Sequence, residues 1–188
     1  HLDVLLRMDF DQPLSEKEVK DVTLLVSAAA QAGVRDLVSV GTNLIVSKNA
    51  ARLAREYPGV WATVGLHPTD VHSAWRSDLA EFKKMIREDR TKKIVGVGET
   101  GIDLFRDATQ LELQKDVFKA HIELALENNL PLVLHIRDEV GNDRSAEIAL
   151  RVLEQFGTNF RGVMHCFQQS QVIATEALAR GLMLGVDA

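Results

Sequence analysis

The hydrophobic pattern of the chain alternates between short apolar runs and longer amphipathic segments. The short runs are rich in β-branched and aliphatic residues, and they predict strands over residues 34–41, 60–66, 93–98, 131–134, 162–164 and 182–186. The longer segments carry apolar residues at helical spacing, and they predict helices over residues 15–31, 44–57, 78–88, 109–128, 146–156 and 171–180. Strands that alternate with helices in this way imply a parallel sheet whose faces are covered.

Two of the predicted helices begin with a capping-box pattern, in which a hydroxyl residue precedes a glutamate by three positions. Ser15 and Glu18 form the first pattern, and Thr109 and Glu112 form the second. Such pairs satisfy free backbone N–H groups at the start of a helix. Both helices are therefore expected to begin at these residues.

The composition is that of an ordinary globular domain, with 188 residues, 46% of them hydrophobic, and a formal net charge of −5. The acidic balance argues against nucleic-acid binding through a broad basic face, although bound cations can supply positive charge at a phosphate site. No apolar run approaches the roughly 20 residues that span a membrane, so no membrane association is expected. The single cysteine, Cys166, excludes an internal disulfide framework and fits a reducing compartment, which favours a cytoplasmic location.

Four metal-competent side chains directly follow four of the apolar runs. His67, Glu99, His135 and His165 stand at these positions, separated by 32, 36 and 30 residues. A (β/α)₈ barrel uses roughly 31 residues for each strand–helix unit and builds its active site at the carboxyl ends of the strands. The spacing therefore predicts four side chains that converge at one face of a barrel.

Imidazole and carboxylate groups together suit Zn²⁺, Mn²⁺ or iron better than Ca²⁺. A glutamate can bridge two metal ions through its two oxygens. Two ions about 3.5–4 Å apart stabilise both the attacking and the leaving oxygen of a displacement at phosphorus, and they lower the pKa of bound water. The pattern therefore predicts metal-assisted hydrolysis that needs no serine or cysteine nucleophile.

The strand-end motifs resemble those of one known family. Residues 98–103 (Gly-Glu-Thr-Gly-Ile-Asp) resemble the Gly-Glu-x-Gly-Leu-Asp signature of the TatD family of metal-dependent deoxyribonucleases. Residues 65–68, 134–137 and 164–167 also match this family in order and spacing, and residues 1–3 resemble the end of its opening motif. The resemblance implies a TIM barrel of the amidohydrolase-like superfamily, here a single domain over residues 1–188 that acts on DNA or another phosphodiester, often as a 3′–5′ exonuclease.

The resemblance also implies a set of metal ligands. Glu99 is the expected catalytic carboxylate that bridges two divalent ions, which could be Zn²⁺, Mg²⁺ or Mn²⁺. His135 and His165 are expected to hold one ion with it, and His1 is expected to help hold the other.

The same resemblance places three residues on the substrate side. His67 and Arg137 are expected near the scissile phosphate, where the planar donor fork of arginine suits phosphate oxygens. Asp103 is expected to buttress this substrate-binding side. The chain departs from the family at Leu104–Phe105 and Gln168–Gln169, positions that flank the substrate, so these departures bear on substrate preference.

A barrel of about 250 residues exceeds this sequence, so the expectation is an incomplete (β/α)₈ barrel with its first strand truncated and its last strand absent. Two alternatives to a nuclease stay open: an amidohydrolase-type hydrolase of a C–N or ester bond, and an inactive truncated scaffold. No protein partner is implied. His121 is expected at a surface or groove position of its helix, without a role as a ligand.

Overall fold

The computed structural model describes residues 15–157 and 160–186. The strands are β1 (Leu37–Ser39), β2 (Val60–Val64), β3 (Ile94–Asp103), β4 (Leu132–Arg137), β5 (Gly162–His165) and β6 (Leu182–Leu184). The helices are α1 (Glu16–Gln31), α2 (Leu44–Glu56), α3 (Trp75–Glu88), α4 (Leu111–Glu127), α5 (Arg144–Glu154) and α6 (Gln171–Ala179).

The six described strands form one parallel sheet in the order β1-β2-β3-β4-β5-β6. Each strand pairs with the next one along the chain, and a helix connects each pair. The sheet curls into a half-barrel, which confirms the prediction of a parallel α/β barrel fold. All the carboxyl ends of the strands therefore lie at one edge of the sheet.

The longest strand, β3, continues well past its predicted end at Gly98 and reaches Asp103. Its pairing with β4 shifts register between Val97 and Thr100, and pairing then resumes as far as Asp103 opposite Arg137. The sequence pattern did not predict this extension, because a Gly-Glu-Thr-Gly segment has little strand propensity. The extension puts Glu99 and Asp103 on the same strand.

The two capping-box predictions have opposite outcomes. The box at Ser15 is confirmed, since its Oγ accepts from the backbone N–H of Glu18 and its own N–H donates to the Glu18 carboxylate. The box at Thr109 is wrong, because the Thr109 hydroxyl donates to Asp107 at 2.6 Å instead. Helix α4 consequently begins at Leu111 with no side-chain cap.

The hydrophobic core lies between the sheet and its helices. Its largest fully buried side chains come from both layers and include Phe82, Phe118, Leu53, Leu66, Ile102, Leu132, Leu153 and Met164. In the part of the chain that the structure describes, no helix combines the length and apolar character needed to cross a membrane. The expected first strand stub and His1 lie outside the described residues.

Candidate metal centre

The sheet register brings the sequence-predicted side chains to one edge. In the β3–β4 ladder Gly101 lies opposite His135 and Asp103 lies opposite Arg137, and in the β4–β5 ladder His135 lies opposite His165. Because side chains at i and i+2 of a strand share a face, His135 and Arg137 emerge on the same side of β4.

Glycine is required at position 101 of this edge. Gly101 has a φ of +146°, and a Cβ atom there would collide with the backbone carbonyl of His135. Only a residue without a side chain lets β3 approach β4 this closely. The close approach brings the imidazole of His135 within reach of the carboxylates on β3.

The imidazole of His135 lies between two buried carboxylates. Its Nδ1 is 3.1 Å from an Oε atom of Glu99, and its Nε2 is 3.0 Å from an Oδ atom of Asp103. An ionised carboxylate only accepts hydrogen bonds, so each ring nitrogen that carries a proton can donate it to the carboxylate that it faces. Burial, the largest effect, lowers the pKa of His135, but the hydrogen bonds to Asp103 and Glu99 outweigh it and raise that pKa overall.

The same hydrogen bonds lower the pKa values of the two carboxylates, Glu99 and Asp103. Burial is the largest effect on the pKa of Glu99 and raises it, but the hydrogen bond from His135 and the charges of His135, His67 and His165 leave that pKa below its ordinary value. The pKa of Asp103 is likewise lowered, because the hydrogen bonds from His135 and from the Arg106 N–H outweigh burial. The centre thus holds two carboxylates around one imidazole ring.

His67 completes the cluster from the loop after β2. Its ring centroid is 4.2 Å from that of His135, with the two rings edge to face. Its Nδ1 accepts the backbone N–H of Thr69 at 3.2 Å, which leaves the proton of the neutral ring on Nε2. Burial and then the charge of His135 lower the pKa of His67 to about 4, so the ring is neutral at pH 7.

A metal ion fits the donor set of this cluster. One ligand atom from each of His67, Glu99 and His135 lies within 4.8 Å of the others. The Nδ1 atom of His135 and an Oε atom of Glu99 face each other at 3.1 Å. A metal ion could bind both atoms in place of the proton between them. Among the described residues, this group contains His67 and not His165, although His165 is close enough for its charge to lower the Glu99 pKa.

Hydrogen bonds from Gln114 fix the loop that follows β3. Gln114 of α4 is fully buried; its Oε1 accepts the Asp103 N–H, and its Nε2 donates to the carbonyls of Asp103 and Asp107. The Leu104 N–H donates to the Arg137 carbonyl at 3.0 Å. Gln114 was not predicted as a site residue, because its partners lie in a loop whose path the sequence does not reveal.

The expected surface or groove position of His121 is wrong, since its side chain is buried. Its Nδ1 is 2.8 Å from the Val117 carbonyl, and its Nε2 accepts the backbone N–H of Leu66 at 3.1 Å. Burial lowers the pKa of His121 to about 4, which keeps the ring neutral. A signal was present, because His121 is four residues after Val117 and three before Leu124, both on the buried face of α4.

Fold and centre together define the class: a parallel α/β half-barrel with histidine and carboxylate ligands at the carboxyl ends of its strands. A sequence profile described as TatD related DNase matches residues 8–188, and the chain belongs to this family, which is metal-dependent. The family predicted from the strand-end motifs is confirmed.

Several relatives carry the name "3′-5′ ssDNA/RNA exonuclease TatD". The chain is similar to the one from Citrobacter rodentium, with 35% identity over 92% of this chain and 62% of the relative. It is also similar to that of Escherichia coli K12, with 32% identity over 92% of this chain and 63% of the relative. The chain thus spans about three fifths of the length of these curated relatives.

Solved structures give the same fold. A TatD homologue from Escherichia coli K12 superimposes with a TM-score of 0.78 and 28% identity, over 90% of this chain and 63% of that one. A TatD family hydrolase from Entamoeba histolytica has a TM-score of 0.76 and 22% identity, over 88% of this chain and 56% of that one. The second similarity shows the fold alone.

Proposed function

We propose that the protein is a metal-dependent phosphodiesterase that removes nucleotides from the 3′ end of single-stranded DNA or RNA. The observation that carries this proposal is the convergence of His67, Glu99 and His135 at the carboxyl edge of the sheet, where Glu99 and His135 offer ligand atoms to a metal ion and His67 lies beside them on the substrate side. The names of the relatives support the substrate and the polarity.

In this proposal Glu99 and His135 hold a divalent ion, with His165 on the neighbouring strand as the third ligand. Glu99 and His1 would hold a second ion, and His1 lies outside the described residues. When bound, such an ion would act as a Lewis acid toward the phosphate and would lower the pKa of a water molecule that it binds. Zn²⁺, Mg²⁺ and Mn²⁺ are the candidates.

Glu99 is the catalytic carboxylate of the proposal because its lowered pKa keeps it ionised and negative at neutral pH. Asp103 accepts the Nε2 proton of His135 and so orients the imidazole toward Glu99. Residues that orient a ligand in this way strengthen its basicity and its hold on the metal.

His67 and Arg137 bind the scissile phosphate. Neutral His67 presents its Nε2–H as a hydrogen-bond donor, since Thr69 occupies Nδ1. The Arg137 guanidinium offers paired N–H donors to two phosphate oxygens. These donors and the positive charge of Arg137 match a negatively charged phosphodiester better than a neutral amide. They therefore favour the phosphodiesterase hypothesis over the amidohydrolase alternative.

The cellular setting is proposed on composition. Cys166 is the single cysteine, and a chain that relies on no disulfide suits the reducing cytoplasm. A single-stranded nucleic acid is the one partner that the proposal requires.

The test is cleavage of a 5′-labelled oligothymidylate by protein loaded in turn with Mn²⁺, Mg²⁺ and Zn²⁺. We expect products that shorten from the 3′ end, loss of cleavage with EDTA, and a drop of about 100-fold or more for Glu99→Ala. Glu123→Ala, at an exposed site on α4, is the matched control and keeps full activity. No cleavage with any of the three ions would refute the proposed function, and titration calorimetry would then report metal binding separately.

A further inference from the structure

One aromatic side chain stands exposed beside the candidate metal centre. Phe105 follows β3 by two residues and is 51% exposed. Among the large apolar residues that the structure describes as exposed, it is the one aromatic. The exposed part of the ring is therefore available to a bound ligand.

Phe105 is held against the Arg137 guanidinium. The guanidinium carbon lies 4.5 Å from the centroid of the Phe105 ring, in the geometry of a cation–π contact. Arg137 therefore packs on one face of the ring, and about half of the Phe105 side chain stays exposed.

Hydrogen bonds hold the loop that carries Phe105 in position. The Leu104 N–H donates to the Arg137 carbonyl at 3.0 Å, and the Arg106 N–H donates to an Oδ atom of Asp103 at 2.8 Å. The side chain of buried Gln114 makes hydrogen bonds with both the N–H and the carbonyl of Asp103. These bonds order the residues on both sides of the ring, which lowers the entropy cost of binding a partner on it.

The ring also lies close to the phosphate-binding groups of the proposed function. Arg137 is two residues beyond His135 on the same face of β4, a distance of about 7 Å along the strand. The charge of Arg106 is near enough to His67 to lower its pKa. The ring thus has positive charge around it and the metal centre next to it.

We propose that the open face of Phe105 stacks on a nucleobase next to the scissile phosphate, while Arg137 on the opposite face contacts the phosphate. The inference rests on the proposed function and names the substrate feature that the site recognises. An aromatic face stacks on all bases, so it binds without reading sequence. It also requires a base that is unstacked from its neighbours, which favours single strands over duplexes.

The test measures binding, so that it does not depend on cleavage. Two fluorescein-labelled oligothymidylates with hydrolysis-resistant phosphorothioate linkages are compared in the presence of Mg²⁺ by fluorescence anisotropy. One has bases throughout, and in the other the three 3′-terminal residues are abasic tetrahydrofuran units. The readout is the ratio of the two dissociation constants, because losses of phosphate contact affect both probes alike.

We expect the wild-type protein to bind the base-bearing probe about tenfold more tightly than the abasic probe. Phe105→Ala is expected to reduce this preference to about one, Phe105→Leu to lose most of it and Phe105→Trp to retain it. Leu126→Ala is the control, since Leu126 is 50% exposed on α4, away from the centre, and it should keep the wild-type ratio.

Equal binding of both probes by the wild type, an unchanged ratio in Phe105→Ala, or no binding of either probe would overturn the inference. A wild-type ratio near ten in a protein that cleaves nothing would refute the proposed hydrolysis and leave the stacking site standing. The two failures are therefore distinguishable.

Discussion

The Nε2 atom of His135 lies 3.0 Å from an Oδ atom of Asp103, a carboxylate with no solvent exposure. Asp103 thereby fixes the ring so that Nδ1 faces Glu99. The same carboxylate accepts the Arg106 N–H and so ties the centre to the loop that carries Phe105. One buried side chain thus connects the proposed metal site with the proposed base-stacking site.

Replacing Asp103 should weaken metal binding without removing a ligand. In Asp103→Asn the amide cannot balance the His135 proton as a carboxylate does, so the ring loses basicity and orientation. We expect the affinity for Mn²⁺ or Zn²⁺ to fall by about 10–100-fold, as measured by titration calorimetry. Asp116→Asn, at an exposed carboxylate on α4, is the matched control. Wild-type affinity in Asp103→Asn would contradict this role.

Buried His121 should stabilise the loop that presents His67. In His121→Leu the Leu66 N–H loses its acceptor, and leaving a buried donor unsatisfied costs about 1–3 kcal/mol of unfolding free energy. His121→Gln retains a side-chain oxygen that can accept this N–H, so it should lose less. Urea unfolding of the three proteins provides the measurement, and equal stability of the leucine and glutamine variants would rule out the hydrogen bond as the cause.

The stability of the protein should fall on mild acidification because of His121. Burial lowers the folded pKa of this ring to about 4, whereas the unfolded chain has an ordinary value near 6.5. Between these values the unfolded state binds more protons, so the stability present above pH 6.5 is lost progressively toward pH 4. The loss from this residue between pH 7.5 and pH 5 is about 2 kcal/mol.

This pH effect can be isolated by comparison with a variant that does not titrate. His121→Gln removes the ring, so its unfolding free energy should decrease less than that of the wild type between pH 7.5 and pH 5. Denaturant unfolding at the two pH values gives the difference directly. Parallel pH dependence of both proteins would show that His121 titrates alike in its folded and unfolded states.

Gly101 should tolerate no side chain, because a Cβ atom would collide with the His135 carbonyl. Gly141→Ala is the matched control, since Gly141 also has a positive φ but has open space around it. We expect Gly101→Ala to cost about 1–3 kcal/mol more than Gly141→Ala in unfolding free energy, measured by denaturant unfolding. Equal costs would mean that the backbone conformation alone requires glycine.

Local chemistry explains which parts of the site could be predicted. His67, Glu99 and His135 directly follow apolar runs, and the carboxyl ends of neighbouring parallel strands meet at one edge of a sheet. The spacing therefore predicted their convergence, which the structure confirms for these three residues. The assignment of His135 and His165 to one ion stays a prediction, as does the role of His1.

The contributions of Gln114 and His121 could not be predicted in the same way. Each bonds a backbone group of a different segment, and such a partner is defined by the path of the chain. The stack of Arg137 on Phe105 likewise depends on how the loop after β3 folds back over β4. The spacing of residues along the sequence does not predict these contacts.

The amino-acid sequence alone determined the alternation of strands and helices, the parallel sheet, the family and the three convergent side chains. It did so because hydrophobic periodicity and strand-end position are local properties. Only the tertiary structure decided that His135 lies between two carboxylates, that His121 accepts the Leu66 N–H and that Phe105 is exposed beside Arg137. These features arise from close approach of distant segments, such as β3 and β4 at Gly101, which no local pattern encodes.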